Sequence, residues 1–198
     1  RKKGIKRTIQ YRPDGNDFVC VNGKNRYTRA LYGGITDFRI ETSDRPVFAA
    51  YKPKDSKHIC FRLQCGNQSI ALDSLKFCEA RYRAGRRTYR LTDPLLGKGE
   101  LNISVLAFPD AEGGIWRFTM KDMPEGALLH CYISEIRAKN LSRNGDMGAD
   151  RADSFDAPQL PKEQKHYKLS LDGTTAYIVV EDQELRLPAL VEGTSLYD

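Results

Sequence analysis

Long apolar runs are missing from this 198-residue chain, and no stretch approaches the roughly 18 consecutive apolar residues that a membrane-spanning helix needs. No membrane span is therefore expected. Helix signals are equally scarce: no segment holds apolar residues at three- and four-residue spacing for three turns between a cap and a glycine stop. The five cysteines, Cys20, Cys60, Cys65, Cys78 and Cys131, are odd in number and contain no C-x-x-C pair, which removes the common zinc and dithiol motifs. Four of them sit within apolar runs (FVCV, HICF, KFCE, HCYI) and read as small buried hydrophobes. The usual catalytic signatures are absent too: there is no G-x-S-x-G, H-E-x-x-H, G-x-x-x-x-G-K-[ST] or G-x-G-x-x-G. His58, His130 and His166 are scattered along the chain, and no spacing among them forms a recognisable catalytic constellation. The expectation is a chain with no catalytic residue, cofactor or metal, although a pair of carboxylates from distant strands is something spacing does not exclude.

What is present is alternation. Ile59, Phe61, Leu63 and Cys65 alternate with polar neighbours, as do Leu101, Ile103 and Val105, and Trp116, Phe118 and Met120. Period two marks strands with one face on a core and the other toward water. Turn residues separate them at Gly66-Asn67, Gly85, Gly97-Lys98-Gly99, Glu112-Gly113-Gly114 and Asp172-Gly173. The reading is an all-β fold, a large two-sheet antiparallel sandwich with about a dozen strands and little helix. One domain is expected over residues 11–198, behind a flexible basic arm at 1–10. The polar run 140–165, rich in Gly, Pro and Asp, is expected to be a long loop.

Net charge is +6, but 32 Lys and Arg are interleaved with 26 Asp and Glu, and Arg1, Lys2, Lys3, Lys6 and Arg7 supply much of the excess. Nucleic acid is not the expected partner, since a binding face would gather the charge. Three segments stand out as ligand or domain-interface candidates. Asn25, Arg26, Tyr27, Arg29 and Tyr32 combine aromatic faces with guanidinium forks, which suits a sugar, or else closes one end of the sandwich. Arg81, Arg83, Arg86 and Arg90 fall on the outer face of a hairpin if Ala80, Tyr82, Tyr89 and Leu91 point inward. Such a ladder calls either for an acidic partner or for acidic neighbours within the domain. Asp146, Asp150 and Asp153 offer oxygens for calcium at a spacing that fits no EF-hand loop, so a plain polar loop is preferred.

The runs NRYTRALYGG, DFRIETSDRPVFAAY and SEIRAKNLSRNGDMGAD resemble an uncharacterised N-terminal domain family of long Bacteroides-type proteins. In those proteins the domain precedes a region like an (α/α)-barrel, six-hairpin glycosidase. The resemblance implies a supersandwich-like β domain, a periplasmic or envelope setting with a signal peptide removed, and a place in polysaccharide utilisation. It also implies that the chain is a piece of a longer polypeptide whose catalytic groups lie in the downstream barrel. On this basis the chain is a non-catalytic accessory domain packing against that catalytic domain. An independent carbohydrate-binding module using Arg29, Tyr27 and Tyr32 is the alternative. Asp44 and Arg45 are the further candidates for contact with the barrel, unless they form an internal salt bridge.

Overall fold

Strands carry nearly all of the regular structure. A computed structural model describes residues 10–24, 26–52, 56–135, 150–151, 164–181, 184–186 and 196–197. Among these residues there is no α-helix, only two 3-10 turns at Leu72–Ser74 and Pro94–Leu96, and so no helix long and apolar enough to cross a membrane. The first half of the chain forms β1 (Arg12–Asp14), β2 (Asp17–Val21), β3 (Arg26–Leu31), β4 (Arg39–Ser43), β5 (Val47–Tyr51), β6 (Lys57–Cys65), β7 (Gln68–Ala71), β8 (Phe77–Arg83) and β9 (Arg86–Thr92). The second half forms β10 (Glu100–Ala107), β11 (Gly113–Lys121), β12 (Leu128–Glu135), β13 (Asp150–Arg151), β14 (Gln164–Ser170), β15 (Thr175–Glu181), β16 (Glu184–Arg186) and β17 (Leu196–Tyr197).

Two antiparallel sheets result. The first has eight strands in the order β1-β2-β8-β9-β10-β11-β15-β16; the second has nine, β13-β3-β4-β5-β6-β12-β14-β17 with β7 beside β6. This is the expected two-sheet sandwich, with more strands than the dozen expected. The surplus comes from two- and three-residue pieces such as β1, β13 and β16, too short to show alternation in the sequence. Another difference is at Gly113 and Gly114, which open β11 rather than forming a turn. A Cβ on Gly114 would lie 2.2 Å from Ile40 Cδ1 and 2.6 Å from the Leu106 carbonyl, so only glycine lets β11 approach there. Of the run 140–165, only β13, paired with Tyr27 and Arg26, and the start of β14 are described. The arm 1–10 lies outside the described residues except Gln10.

The core lies between the sheets and takes the residues that alternation assigned to it. Ile59, Phe61 and Leu63 from the second sheet face Leu101, Ile103, Val105, Trp116 and Phe118 from the first. Phe48 on β5 sits at its centre, edge-on to Phe61, Tyr89 and Trp116 with ring centroids 5.5–6.0 Å apart. Because inward residues of β8 to β11 are locked in this way, their outward neighbours are held on a rigid face.

Candidate functional site

The hairpin β8–β9 carries the arginines singled out in the sequence, and its register settles their surroundings. Ala80 and Leu91 are buried and Tyr89 is 1% exposed, so Arg81, Arg83, Arg86 and Arg90 do lie on the outer face. They are not stacked against one another, apart from Arg83 and Arg86 at the turn: Arg81 lies opposite Thr88, and Arg90 opposite Glu79. Acidic neighbours answer most of the charge. Arg81 donates to Glu79 at 2.9 Å and to Asp14 at 2.9 Å, with Asp17 at 3.5 Å; Arg83 donates to Asp17 at 2.7 Å. These arginines hold the Asp17 carboxyl below the usual carboxylate range, chiefly through the Arg83 hydrogen bond. Arg81, Arg83 and Asp14 keep contact with water, so each bridge alone adds little to stability.

Beyond the hairpin, the same face forms a groove of about 310 Å³ across β8, β9, β10 and β11. One cross-strand row runs Arg81, Thr88, Ser104, Arg117, and the next runs Glu79, Arg90, Asn102, Thr119. Arg117 is exposed and forms no hydrogen bond or ion pair among the described residues. Arg90 meets Glu79 at 3.8 Å and Glu100 at 3.5 Å, and Asn102 donates to Glu100 at 2.9 Å. On the other side of the Arg117 row lies an apolar one, Leu106, Ile115 and Val179, with Leu106 42% exposed. A larger cleft, about 590 Å³, opens between the turns Asp122–Gly126 and Leu171–Thr174 at one end of the sandwich.

The aromatic and arginine loop is used internally. Tyr27 is fully buried in a small cluster with Val47 and Ala49. Arg29 lies between two rings, its guanidinium carbon 5.0 Å from the Tyr11 centroid and 5.2 Å from the Tyr82 centroid, and it donates to the Thr28 carbonyl at 2.8 Å. Tyr32 is 63% exposed, Arg26 is half-buried, and Asn25 lies outside the described residues. Arg45 does not pair with Asp44 among the described residues. It staples three segments through the carbonyls of Gly23, Asp73 and Leu75, at 2.9, 3.2 and 2.9 Å. Asp44, fully buried, faces Arg87 instead, 3.5 Å away and likewise fully buried. Arg87 Nη2 also donates to the Ser43 carbonyl at 2.7 Å and the Tyr11 hydroxyl at 2.6 Å. Tyr89 donates to Ser43 at 2.6 Å, while the hydroxyls of Tyr11 and Thr28 donate to Asp44. Burial pushes the Tyr89 phenol up to about 12, so it remains a donor. This clasp ties β9 of the first sheet to the end of β4 in the second.

Asp146 and Asp153 lie outside the described residues, and Asp150 is placed in β13. All five cysteines are free. Desolvation raises the thiols of Cys60 to about 11 and Cys78 to about 12, keeping them protonated and poorly nucleophilic.

Two of the scattered histidines meet on the outer face of the second sheet. His130 Nδ1 and His166 Nε2 are 2.8 Å apart, and His130 Nε2 reaches Gln64 Oε1 at 2.7 Å. The ring centroids are 5.1 Å apart and the planes 15° off parallel, so the imidazoles meet edge to edge along one line. With Gln64 Oε1 accepting from His130 Nε2–H, His130 Nδ1 accepts from His166 Nε2–H. Desolvation lowers both pKa values below the ordinary 6.5, helped at His130 by His166, then Lys168 and Arg62, and at His166 by Lys168. The unfolded chain therefore binds protons that the folded chain refuses, so stability is full above pH 6.5 and falls as the solution is acidified through the folded values. Thermal melts from about pH 7.5 to about pH 5 are expected to show this loss, and the slope is expected to flatten in His166→Gln. An unchanged slope in that variant would assign the acid sensitivity elsewhere.

Sequence reasoning passed over Arg87, Tyr11, Asn102 and Arg117. Arg87 shares the inward parity of Tyr89 and Leu91, which is the one signal that marks it. No curated protein matches the chain. A family profile described as a domain of unknown function, DUF4450, matches residues 53–179, from the start of β6 through most of β15 and including the whole groove. The chain belongs to the DUF4450 family.

Proposed function

We propose that this domain is a non-catalytic accessory module of a glycan-processing polypeptide, a rigid sandwich that packs against and supports a catalytic domain downstream in the same chain. The observation that carries the reading is the outer face of the first sheet, where the exposed Leu106 heads an apolar row with Ile115 and Val179. Arg86 opposite Leu106, and Arg117, unpaired among the described residues, beside Ile115 flank that row. An apolar strip edged by arginine matches the composition of protein interfaces, whose centres are apolar and which are enriched in arginine. The internally paired Arg81 and Arg83 make a docking role for the hairpin ladder less apt than one for this neighbouring row. Following the resemblance noted in the sequence, the setting is the periplasm or cell envelope.

Leu106→Glu tests the reading. Because Leu106 is exposed, the 198-residue chain alone should change by less than about 0.5 kcal/mol. In the longer polypeptide the variant should melt in two separate transitions where the parent melts in one. A single unshifted transition in the longer polypeptide would count against docking through this face. The alternative, an independent sugar-binding module, is favoured by the groove beside that row more than by the loop 25–33, whose Tyr27 and Arg29 are engaged internally.

A further inference from the structure

The geometry points to a carboxylated sugar as the ligand of the groove, with Arg117 on its carboxylate and Thr88, Ser104, Asn102 and Thr119 on its hydroxyls. This rests on the reading of the domain as part of a glycan-processing polypeptide and names the class of glycan. The groove walls hold three arginines, Arg81, Arg90 and Arg117, and one carboxylate, Glu79; Asp14, Asp17 and Glu100 just outside the walls answer Arg81 and Arg90, which leaves Arg117 as the cation without a carboxylate partner among the described residues. The arginines are not equivalent. Arg81 commits Nε, Nη1 and Nη2 to Glu79, Asp17 and Asp14, so it is part of the wall. Arg90 uses Nε and Nη1 in longer contacts, leaving Nη2 without a partner among the described residues. Arg117 keeps its entire fork free among the described residues, the geometry that grips a carboxylate with two parallel hydrogen bonds.

Around that fork the lining is hydroxyl and amide. Ser104 is the direct cross-strand partner of Arg117, Thr88 is the next residue in the same row, and Thr119 follows two residues along β11. A hydroxyl donates one hydrogen bond and accepts others, and a sugar ring presents the same mixed chemistry. An acidic peptide would leave these groups facing its apolar side chains, at the cost of buried, unpaired polar atoms. The volume of about 310 Å³ is at the small end of ligand sites. From β9 to β11 the floor spans two strand spacings, about 10 Å, which suits one or two pyranose rings and not an extended chain of side chains. Because the floor is paired strand over a packed core, little ordering is needed on binding.

The test is an NMR titration of the isotopically labelled 198-residue chain with trigalacturonate, maltotriose, triglutamate and inorganic phosphate, each in turn. Trigalacturonate is expected to shift the amides of Thr88, Ser104, Arg117 and Thr119 with a dissociation constant of about 1 mM or tighter. Maltotriose, triglutamate and phosphate should each bind at least about tenfold more weakly. Arg117→Gln should weaken trigalacturonate by about tenfold or more, Arg117→Lys should fall between it and the parent, and Thr88→Val should weaken it with all arginines in place. Neither Arg117 variant should lower the melting temperature, since Arg117 holds no hydrogen-bond or ion-pair partner among the described residues. Equal binding of maltotriose would remove the carboxylate from the assignment. Equal binding of triglutamate or phosphate would remove the sugar, and absence of shifts in the groove at about 10 mM trigalacturonate would overturn the proposal outright. Leu106→Glu probes docking separately, so failure of uronate binding and failure of docking are distinguishable.

Discussion

Arg87→Ala is expected to destabilise the domain by about 3–5 kcal/mol, the cost of breaking a buried ion pair from one side. The substitution leaves the Asp44 carboxylate fully buried without its cation, and takes one donor from the Ser43 carbonyl. For a domain whose whole stability is about 5–15 kcal/mol, that is a large fraction. A fall in melting temperature of about 6–20 °C should follow, at roughly 2–4 °C per kcal/mol for a chain of this size. Arg87→Lys should recover only part of the loss, because an ammonium cannot reach the Tyr11 and Tyr89 hydroxyls, the Ser43 carbonyl and the Asp44 carboxylate with one rigid fork. The informative control is the double variant Arg87→Met with Asp44→Asn. With both charges gone it should be more stable than Arg87→Ala, since a buried pair costs much of its attraction in desolvation. If urea unfolding puts Arg87→Ala within about 1 kcal/mol of the parent, the clasp is not holding the sheets together.

The same residue shows where sequence reasoning stops. Alternation exposed the fold because each strand keeps one face dry: Ile59, Phe61 and Leu63, or Trp116, Phe118 and Met120, announce a core without any knowledge of their partners. It also placed Arg81, Arg83 and Arg90 outside. The parity of Tyr89 and Leu91 sends Arg87 inward, but a charged residue reads as a surface residue unless a buried counter-charge is known. That counter-charge, Asp44, lies 43 residues earlier, in the bend that follows β4 of the other sheet. Arg117 was legible as outward-facing beside Trp116, yet its place in a groove with Arg90 depends on the registers of β9 with β10 and β10 with β11. Likewise His130 and His166 are 36 residues apart and meet only because β12 and β14 pair. Local pattern specifies faces, whereas sites are built from register, and register lies in the pairing of distant strands.

Phe48→Ala is the second change with a large expected effect, about 3–5 kcal/mol for truncating a fully buried phenylalanine. Its ring is 5.6 Å from Tyr89 and 5.5 Å from Trp116 on the opposite sheet, and 6.0 Å from Phe61 on its own, each edge-on. Such edge-on pairs add about 0.5–1.5 kcal/mol each beyond area burial, so the loss should sit toward the top of the range. Trp116, the single tryptophan, is fully buried, and its fluorescence should change as the ring packed edge-on against it is lost. Phe48→Leu, which keeps most of the volume, should cost much less. Tyr89 belongs both to this aromatic cluster and, through its hydroxyl on Ser43, to the Arg87 clasp. Phe48→Ala and Arg87→Ala should therefore not add: residues sharing a partner couple by about 0.5–3 kcal/mol. The outer face gives the sharper discrimination. Thr88 and Arg90 flank Tyr89 on β9, so if the core is what holds the groove in place, Phe48→Ala should weaken its ligand even at a temperature where the domain remains folded. Full affinity in a folded but destabilised Phe48→Ala would mean that the strand pairing of β8 to β11 alone fixes the face.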